Sequence, residues 1–300
     1  MLLETFKNFK DFELLDTGAG FRLERWGNVI LQRPDPQIIW GRSLLDSEWD
    51  KAWAIYKSAN DEGKENWEIK KSIPKPWIIE FNNVRLLLKL SPFKHTGLFA
   101  EQAAQWEWME NKLSSSSSYQ VKSKTSSPKI LNLFAYTGGA TMVLAQAGCN
   151  VTHVDASKPA ITWANENHAL NKLPKDSVRW MLDDCVKFVK REVKRGAKYD
   201  GIIMDPPAFG HSPTGKTWKF NYDLPGLLLD CVQLLSNDAK FLVINGYATN
   251  SSALALNNLL TDAIKSRPAS ASWRIEFGEL CLKQKTDRMI STGIFARWSA

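Results

Sequence analysis

The chain has 300 residues, 44% hydrophobic and 24% charged, which is the composition of a globular protein with a sizeable core. It has no apolar run near the roughly 20 residues of a membrane span, and residues 1–7 are too polar for a secretory signal, so we expect a cytoplasmic protein. The net charge of +7 favours a polyanionic partner such as RNA, although many basic enzymes bind no nucleic acid.

The first 94 residues predict a small α+β, β-rich N-terminal domain. Alternating apolar and polar residues indicate a hairpin over 21–27 and 28–33, and a second over Trp77–Phe81 and Val84–Leu88. Residues 46–57 predict a helix between them. A connecting helix over 97–113 and a Ser-rich linker then fill the segment 95–128.

From residue 129 to residue 300 apolar strands alternate with amphipathic helices, which predicts a parallel α/β sheet. Two final strands, 273–283 and 290–298, have no helix between them and must pair as an antiparallel hairpin. A parallel sheet closed in this way is the plan of the Rossmann-like class I methyltransferases, and it argues against a nicotinamide-binding Rossmann domain. The preceding strands are predicted at 130–135, 151–155, 178–182, 199–205 and 240–246, with helices at 140–147, 158–173, 185–195, 224–235 and 252–266.

A glycine turn follows the first of these strands, ending in Gly138-Gly139. Glycine lets the backbone approach a ligand, and the next helix presents free N–H groups, although an ordinary glycine turn is the alternative.

Asp155 ends the second strand, where a carboxylate can accept hydrogen bonds from both hydroxyl groups of a ribose. Asp183 and Asp184 end the third strand; we favour Asp184 as a ligand of an adenine amino group, or as a helix cap.

The sharpest signal is Asp205-Pro206-Pro207-Ala208-Phe209, at the end of the fourth strand. Two prolines break the strand ladder and fix an exposed turn at the edge where open α/β sheets bind ligands. Such a turn can accept hydrogen bonds from a nucleobase amine while an aromatic ring packs on the base. Residues 211–219 follow and are polar, basic and aromatic; we read them as a mobile substrate loop, with a solvated connection as the alternative.

Several motifs together resemble one known family: FKHTGLFAEQ, LNLFAYTGG, THVDAS, ANENHALN, DPPAF and STGIFARW. Over residues 12–298 the chain is similar to the bacterial methyltransferases related to the large-subunit ribosomal RNA enzymes RlmI and RlmK. It is most similar to shorter members without a PUA domain. Three positions depart from the family pattern: Glu101, Ala103 and Ala208 stand for the usual Asp, Arg and Lys or Thr.

The resemblance implies S-adenosyl-L-methionine as the cofactor and assigns residues to it. The expected catalytic residues are Asp205, Pro206, Pro207 and Phe209. The expected cofactor contacts come from the strand ends and from the FAEQ motif: Gln102, Asn132, Leu133, Phe134, Ala135, Tyr136, Thr137, Gly138, Asp155, Ala156, Ser157, Asn167, Asp184, Cys185 and Asp205.

Cysteine usage narrows the chemistry. Methylation of a cytosine carbon needs a thiolate that attacks the ring, and relatives with that activity carry the cysteine just after the fifth strand. Residues 243–250 contain none, and no Cys follows Pro206. The four cysteines are scattered, with no CxxC or Cys/His cluster, so we expect buried thiols and no metal. They are Cys149, Cys185, Cys231 and Cys281.

The leading hypothesis is an S-adenosylmethionine-dependent methyltransferase that acts on RNA, with ribosomal RNA favoured and a nitrogen acceptor. The alternatives are a ribosomal RNA cytosine carbon-5 methyltransferase, a small-molecule or protein methyltransferase on the same fold, and an inactive protein that binds cofactor or RNA. The sequence is compatible with a monomer or a homodimer.

Overall fold

The computed structural model describes residues 1–57, 66–92, 94–114, 127–211, 217–265, 267 and 273–300. The chain forms two compact units, neither of them a single continuous block. The first unit comprises Met1–Glu4, Ala104–Leu280 and Ser291–Ala300, and the second comprises Thr5–Ala103 and Cys281–Ile290. The predicted linker lies almost entirely outside the described residues, and the domain borders at 94 and 128 stay predictions.

The elements of the first third of the chain are mostly strands. They are β1 (Leu2–Glu4), β2 (Phe12–Gly18), β3 (Phe21–Trp26), β4 (Val29–Pro34), α1 (Asp46–Trp49), β5 (Ala54–Lys57), β6 (Asn66–Ile69), β7 (Trp77–Phe81), β8 (Val84–Leu88), a 3-10 turn (Ala100–Gln102) and α2 (Ala103–Ser114).

The remaining elements alternate strand and helix. They are β9 (Lys129–Leu133), α3 (Gly139–Gln146), β10 (Asn150–Asp155), α4 (Lys158–Leu170), β11 (Val178–Leu182), α5 (Cys185–Lys194), β12 (Gly201–Met204), β13 (Phe209–His211), β14 (Thr217–Lys219), α6 (Phe220–Leu234), β15 (Phe241–Gly246), α7 (Ala253–Ile264), β16 (Arg274–Lys283) and β17 (Met289–Ser299).

The second unit is a five-stranded sheet in the order β2-β3-β4-β5-β6, with the separate hairpin β7–β8. Both predicted hairpins are confirmed. The helix predicted over 46–57 is wrong beyond Trp49, because the chain turns there and continues as β5. Ala54 and Tyr56 are buried at a spacing of two residues, which is the period of a strand, and β5 pairs with β4 and β6.

Two buried polar contacts stabilise the second unit. Glu24 accepts two hydrogen bonds from Arg33, at 2.7 and 2.9 Å. Burial by itself would raise the pKa of Glu24, but the guanidinium groups of Arg22 and Arg33 hold it below its ordinary value. Gln284 donates to Asp16 at 3.1 Å, so a segment near the end of the chain is built into this unit.

The first unit contains an eight-stranded sheet in the order β1-β16-β17-β15-β12-β9-β10-β11. The five strands β15, β12, β9, β10 and β11 run parallel to one another. The strand β17 lies between β15 and β16 and runs antiparallel to β15. The predicted fold class, a parallel α/β sheet closed by antiparallel C-terminal strands and preceded by a β-rich region, is confirmed.

Helix caps and a polar network fix the elements of the first unit. The side chains of Ser157, Asp184 and Ser252 accept N–H groups in the first turns of α4, α5 and α7. Buried Arg297 of β17 donates to Gln105 at 3.0 Å and forms ion pairs with Glu4 and Glu276. No helix in the described part of the chain is long and apolar enough to cross a membrane.

Gly201 of β12 has no room for a larger side chain, since an added Cβ would lie 2.6 Å from the ring of Phe241 and 2.8 Å from Ile130. We expect Gly201→Ala to lower the free energy of unfolding by about 1–3 kcal/mol through overpacking. Gly226, exposed within α6, meets no atom within 4 Å, and Gly226→Ala should stabilise by about 0.5–1 kcal/mol. Urea unfolding of both variants measures the difference; equal effects would contradict this packing.

Candidate functional site

The site residues predicted at the strand ends meet at one edge of the sheet. The strands β9, β10, β11 and β12 are parallel neighbours, so their carboxyl ends lie at the same edge. The segment 134–138 follows β9, Asp155 ends β10, Asp184 follows β11 and Asp205 follows β12. This is the edge at which ligands of open α/β sheets bind.

The turn after β9 has an unusual backbone. Phe134, Tyr136 and Gly138 have φ angles of +55°, +51° and +84°, in the left-handed region that residues other than glycine seldom adopt. The N–H of Gly138 donates to the carbonyl of Ala135 at 3.0 Å, and α3 begins at the next residue. The positive φ of Gly138 favours glycine, and a Cβ there would also make a tight contact, 3.2 Å from that of Ala164.

The carboxylate of Asp155 ties two turns together. One oxygen accepts the N–H of Tyr136 and the other accepts the N–H of Ser157, each at 2.8 Å. Burial raises the pKa of Asp155 above its ordinary value, while these backbone donors lower it in part. The pKa of the Tyr136 phenol is also raised, by burial and by the charge of Asp155, so the phenol stays protonated and can donate.

Two further side chains form hydrogen bonds with the backbone of the turn. The amide of Asn167, buried on α4, donates to the carbonyl of Thr137 at 2.9 Å. The sulfur of Cys185 accepts the N–H of Phe134 at 3.3 Å. Asn167 and Cys185, both predicted to contact the cofactor, therefore hold the backbone of this turn in place.

Asn132 lies inside β9 and is almost fully buried. Its amide donates to the hydroxyl of Thr141 at 3.0 Å, and that hydroxyl lies 2.9 Å from Nδ1 of His153. Burial lowers the pKa of His153 to about 3, so its imidazole is neutral. Sequence reasoning missed Thr141 and His153, although polar residues within an apolar helix and an apolar strand signal a buried network.

Asp183 and Asp184 have different partners. Asp184 caps α5 by accepting the N–H of Lys187 at 3.0 Å, which was the helix-cap alternative, and its predicted contact with a ligand stays a prediction. Asp183 forms an ion pair with Arg191, and its N–H donates to the carbonyl of Asp155 at 3.0 Å. The ends of β10 and β11 are thereby joined.

The prolyl turn after β12 is braced by its own neighbours. The N–H of Asp205 donates to the carbonyl of Leu133 at 3.3 Å. The carbonyl of Pro207 accepts the indole N–H of Trp218 at 2.7 Å, and Trp218 packs against Phe134 with ring centroids 5.1 Å apart. Phe209 stays 54% exposed beside this turn.

The predicted substrate loop is described only at its ends. Residues 209–211 and 217–219 pair as the antiparallel strands β13 and β14, whereas residues 212–216 lie outside the described residues. The sequence did not predict these strands. Trp218 was predicted as part of the loop, but it is buried and braces the prolyl turn.

Gln102 belongs to the second unit, in the 3-10 turn after Phe99, and its N–H donates to the carbonyl of Phe99 at 3.2 Å. Its predicted place near the cofactor stays a prediction. The adjacent Glu101 is buried, and burial raises the pKa of its carboxyl group.

All four cysteines are buried free thiols. Burial raises the pKa of Cys149 to about 12 and also raises those of Cys185 and Cys231. The thiolate is the nucleophilic form of cysteine, and the thiols of Cys149, Cys185 and Cys231 are protonated at neutral pH. Tyr247 is the residue directly after β15, the region where a catalytic cysteine would be expected. Its ring packs closely on Gly293, since a Cβ added to Gly293 would lie 2.8 Å from the Tyr247 ring.

Comparisons with known proteins place this geometry among methyltransferases. Residues 60–255 match the family model described as S-adenosylmethionine-dependent methyltransferase. The crystal structure of the SAM dependent methyltransferase from Agrobacterium tumefaciens superposes with a TM-score of 0.90 at 34% identity, covering 100% of this chain and 93% of that one.

Two curated relatives are named for ribosomal RNA. The ribosomal RNA large subunit methyltransferase I of Shigella dysenteriae serotype 1 is 30% identical over 207 residues, 63% of this chain and 48% of the relative. The methyltransferase K/L of Pseudoalteromonas atlantica is 31% identical over 189 residues, 62% and 25% respectively. The chain thus spans between a quarter and a half of the length of these relatives.

The buried imidazole of His153 makes stability depend on pH. Between pH 6.5 and about 3 the unfolded chain protonates this histidine and the folded chain does not, so stability falls as pH falls. The expected loss from pH 7 to pH 5 is about 2 kcal/mol. His153→Gln should remove that part of the pH dependence, as measured by urea unfolding at both pH values. An unchanged pH dependence in the variant would show that His153 is protonated in the folded protein.

Proposed function

The chain belongs to the S-adenosylmethionine-dependent methyltransferase family, and we propose that it methylates a nucleobase nitrogen of ribosomal RNA without a cysteine nucleophile. The protein is therefore an enzyme with S-adenosylmethionine as its cofactor. The observation that carries the proposal is the braced prolyl turn after β12, with Asp205 at its start and the exposed ring of Phe209 beyond it. The names of the curated relatives support ribosomal RNA as the substrate class.

The residues at the sheet edge fit an adenosyl group. Asp155 keeps acceptor capacity beyond its two backbone donors, because a carboxylate has about four lone-pair sites, and it can bind the ribose hydroxyl groups. Asp184 lies at the adjacent strand end, at the position expected for the adenine amino group. The left-handed turn 134–138 brings backbone close to the ligand, as Gly138 allows.

The cofactor supplies a methyl group on a cationic sulfur, an electrophile that needs no further activation. The protein therefore has to align the acceptor and exclude water. Asp205 and the carbonyl of Pro206 accept hydrogen bonds from the amine of the target base and orient its lone pair. Phe209 offers its exposed face for stacking on that base.

The state of the thiols supports a nitrogen acceptor over a cytosine carbon. A cytosine carbon acceptor requires a thiolate at the site. All four cysteines are buried, and burial raises the pKa of Cys149, Cys185 and Cys231, so they are poor candidates for it. Cys185 contacts the cofactor turn, where its sulfur already accepts the N–H of Phe134.

The cofactor contacts are tested by ligand-linked stability. S-adenosylhomocysteine at 100 times its Kd should stabilise the wild-type protein by about 2.7 kcal/mol. We expect Asp155→Asn to lose most of that stabilisation, since the ribose acceptor is altered. Asp262→Asn, an exposed and ion-paired position on α7, is the matched control and should keep it. Equal ligand-induced Tm shifts in both variants would remove Asp155 from the cofactor site.

The acceptor chemistry is tested by turnover. We expect Asp205→Ala to lower methyl transfer to RNA from a strain lacking the gene at least a hundredfold, measured at saturating S-adenosylmethionine. A cysteine-free variant should keep transfer if it remains folded by circular dichroism; in it Cys149, Cys231 and Cys281 are replaced by Ala, and Cys185 by Ser, whose hydroxyl can still accept the N–H of Phe134. Mass mapping of the product identifies the methylated atom. A folded, inactive cysteine-free variant, or a methyl group on cytosine carbon-5, would overturn the proposal.

A further inference from the structure

A large excess of positive charge lies in one short segment of the chain. Residues 185–198 contain six cations and a single carboxylate, a net charge of +5 against +7 for all 300 residues. This segment is α5 and the turn that follows it. The positive charge is therefore a local feature of the molecule.

Four of the six cations lie on one side of α5. Lys187, Lys190, Arg191 and Lys194 recur at intervals of three, one and three residues, which places them on a single helical face. Arg195 and Lys198 follow in the turn after the helix, and all six cations are exposed. The opposite face of α5 carries buried Cys185, Phe188 and Val189. We call the exposed side of α5 together with this turn the α5 basic face; it consists of Lys187, Lys190, Arg191, Lys194, Arg195 and Lys198.

Helix stability does not account for this face. Cations near the end of a helix are favourable, which explains Arg191 and Lys194. Lys187 lies in the first turn, where a positive charge opposes the helix dipole. Glutamine would be as good a helix former at Lys187 and Lys190 without that charge.

Pairing neutralises only part of the charge. Arg191 is paired with Asp183, and Arg195 with buried Glu192 at 2.9 Å. Within the described ranges, Lys190 and Lys194 form no salt bridge. Arg179 of the edge strand β11 widens the face, since its guanidinium and that of Arg191 lie 5.6 and 5.9 Å from the ring centre of Phe188.

We propose that the α5 basic face binds the phosphate backbone of the RNA whose target base enters the site. This inference rests on the proposed function and names where the substrate is held. The face begins one turn after Asp184, at the ligand-binding edge of the sheet, and Lys187 and Lys194 lie about 10 Å apart along the helix. Its groups are cationic heads on flexible stems, which contact phosphates without reading sequence.

The test compares neutralising variants with equal change of net charge. Lys190→Gln/Lys194→Gln removes two charges from the face. Lys240→Gln/Lys265→Gln removes two at the ends of β15 and α7, in another part of the same sheet and its helices. The probes are labelled poly(U) and large-subunit ribosomal RNA from a strain lacking the gene, titrated across salt concentrations. The S-adenosylhomocysteine Tm shift and kcat at saturating RNA report on the cofactor site.

We expect the first variant to bind both RNAs roughly tenfold more weakly at 0.1 M salt and to lower the slope of log K against log salt by about 1.4–1.8. Its KM for RNA should rise while kcat and the Tm shift stay unchanged, and the control variant should match wild type. Equal losses of RNA binding in both variants would show that binding depends only on the net charge of the protein. That result would overturn the inference and leave the proposed function standing. Anionic vesicles bound through this face in preference to RNA would also overturn it. A wild-type protein that binds cofactor but neither binds nor methylates RNA would instead sink the proposed function.

Discussion

The carboxylate of Asp155 is the contact on which the sheet edge depends. It accepts one N–H from the turn after β9 and one from the turn after β10, so a single side chain fixes two loops. The turn after β9 holds two non-glycine residues in the left-handed region, at a conformational cost of about 1–3 kcal/mol each. That conformation persists because the N–H of Phe134, the N–H of Tyr136 and the carbonyl of Thr137 all have side-chain partners.

The same logic of mutual bracing extends to the prolyl turn. Trp218 contacts both Pro207 and Phe134, which joins the end of β12 to the end of β9 through an indole ring. A methyltransferase needs this rigidity, because methyl transfer from an activated sulfonium is governed by the alignment of donor and acceptor. Three of the side chains that brace this edge, Asp155, Asn167 and Cys185, are thus also among the residues assigned to the cofactor.

The sequence was sufficient for the alternating half of the fold. Strand and helix periods from residue 129 onward located the five parallel strands β9, β10, β11, β12 and β15, and the lack of a helix between the last two strands predicted the antiparallel closure. The strand β1, which pairs with β16 in the same sheet, was not predicted. It failed at residues 50–57, where Trp49, Ala54 and Tyr56 fit either a helix or a strand until their partners are known. At the site, Asp155 and the prolyl turn followed from their place at strand ends. The bracing roles of His153 and Trp218 did not, because they depend on contacts between residues distant in sequence.

The threading of the chain has a consequence for its synthesis. The strand β17 lies between β15 and β16, and residues 281–290 complete the second unit, with Gln284 bound to Asp16. Neither unit is therefore complete until residues 281–299 have been synthesised. Until then β15 has an unpaired edge and the first β-rich region lacks its last segment, the kind of exposed surface that chaperones recognise. Residues 281–299 are therefore the closing segment of both units, and neither unit can finish folding before this segment has been made.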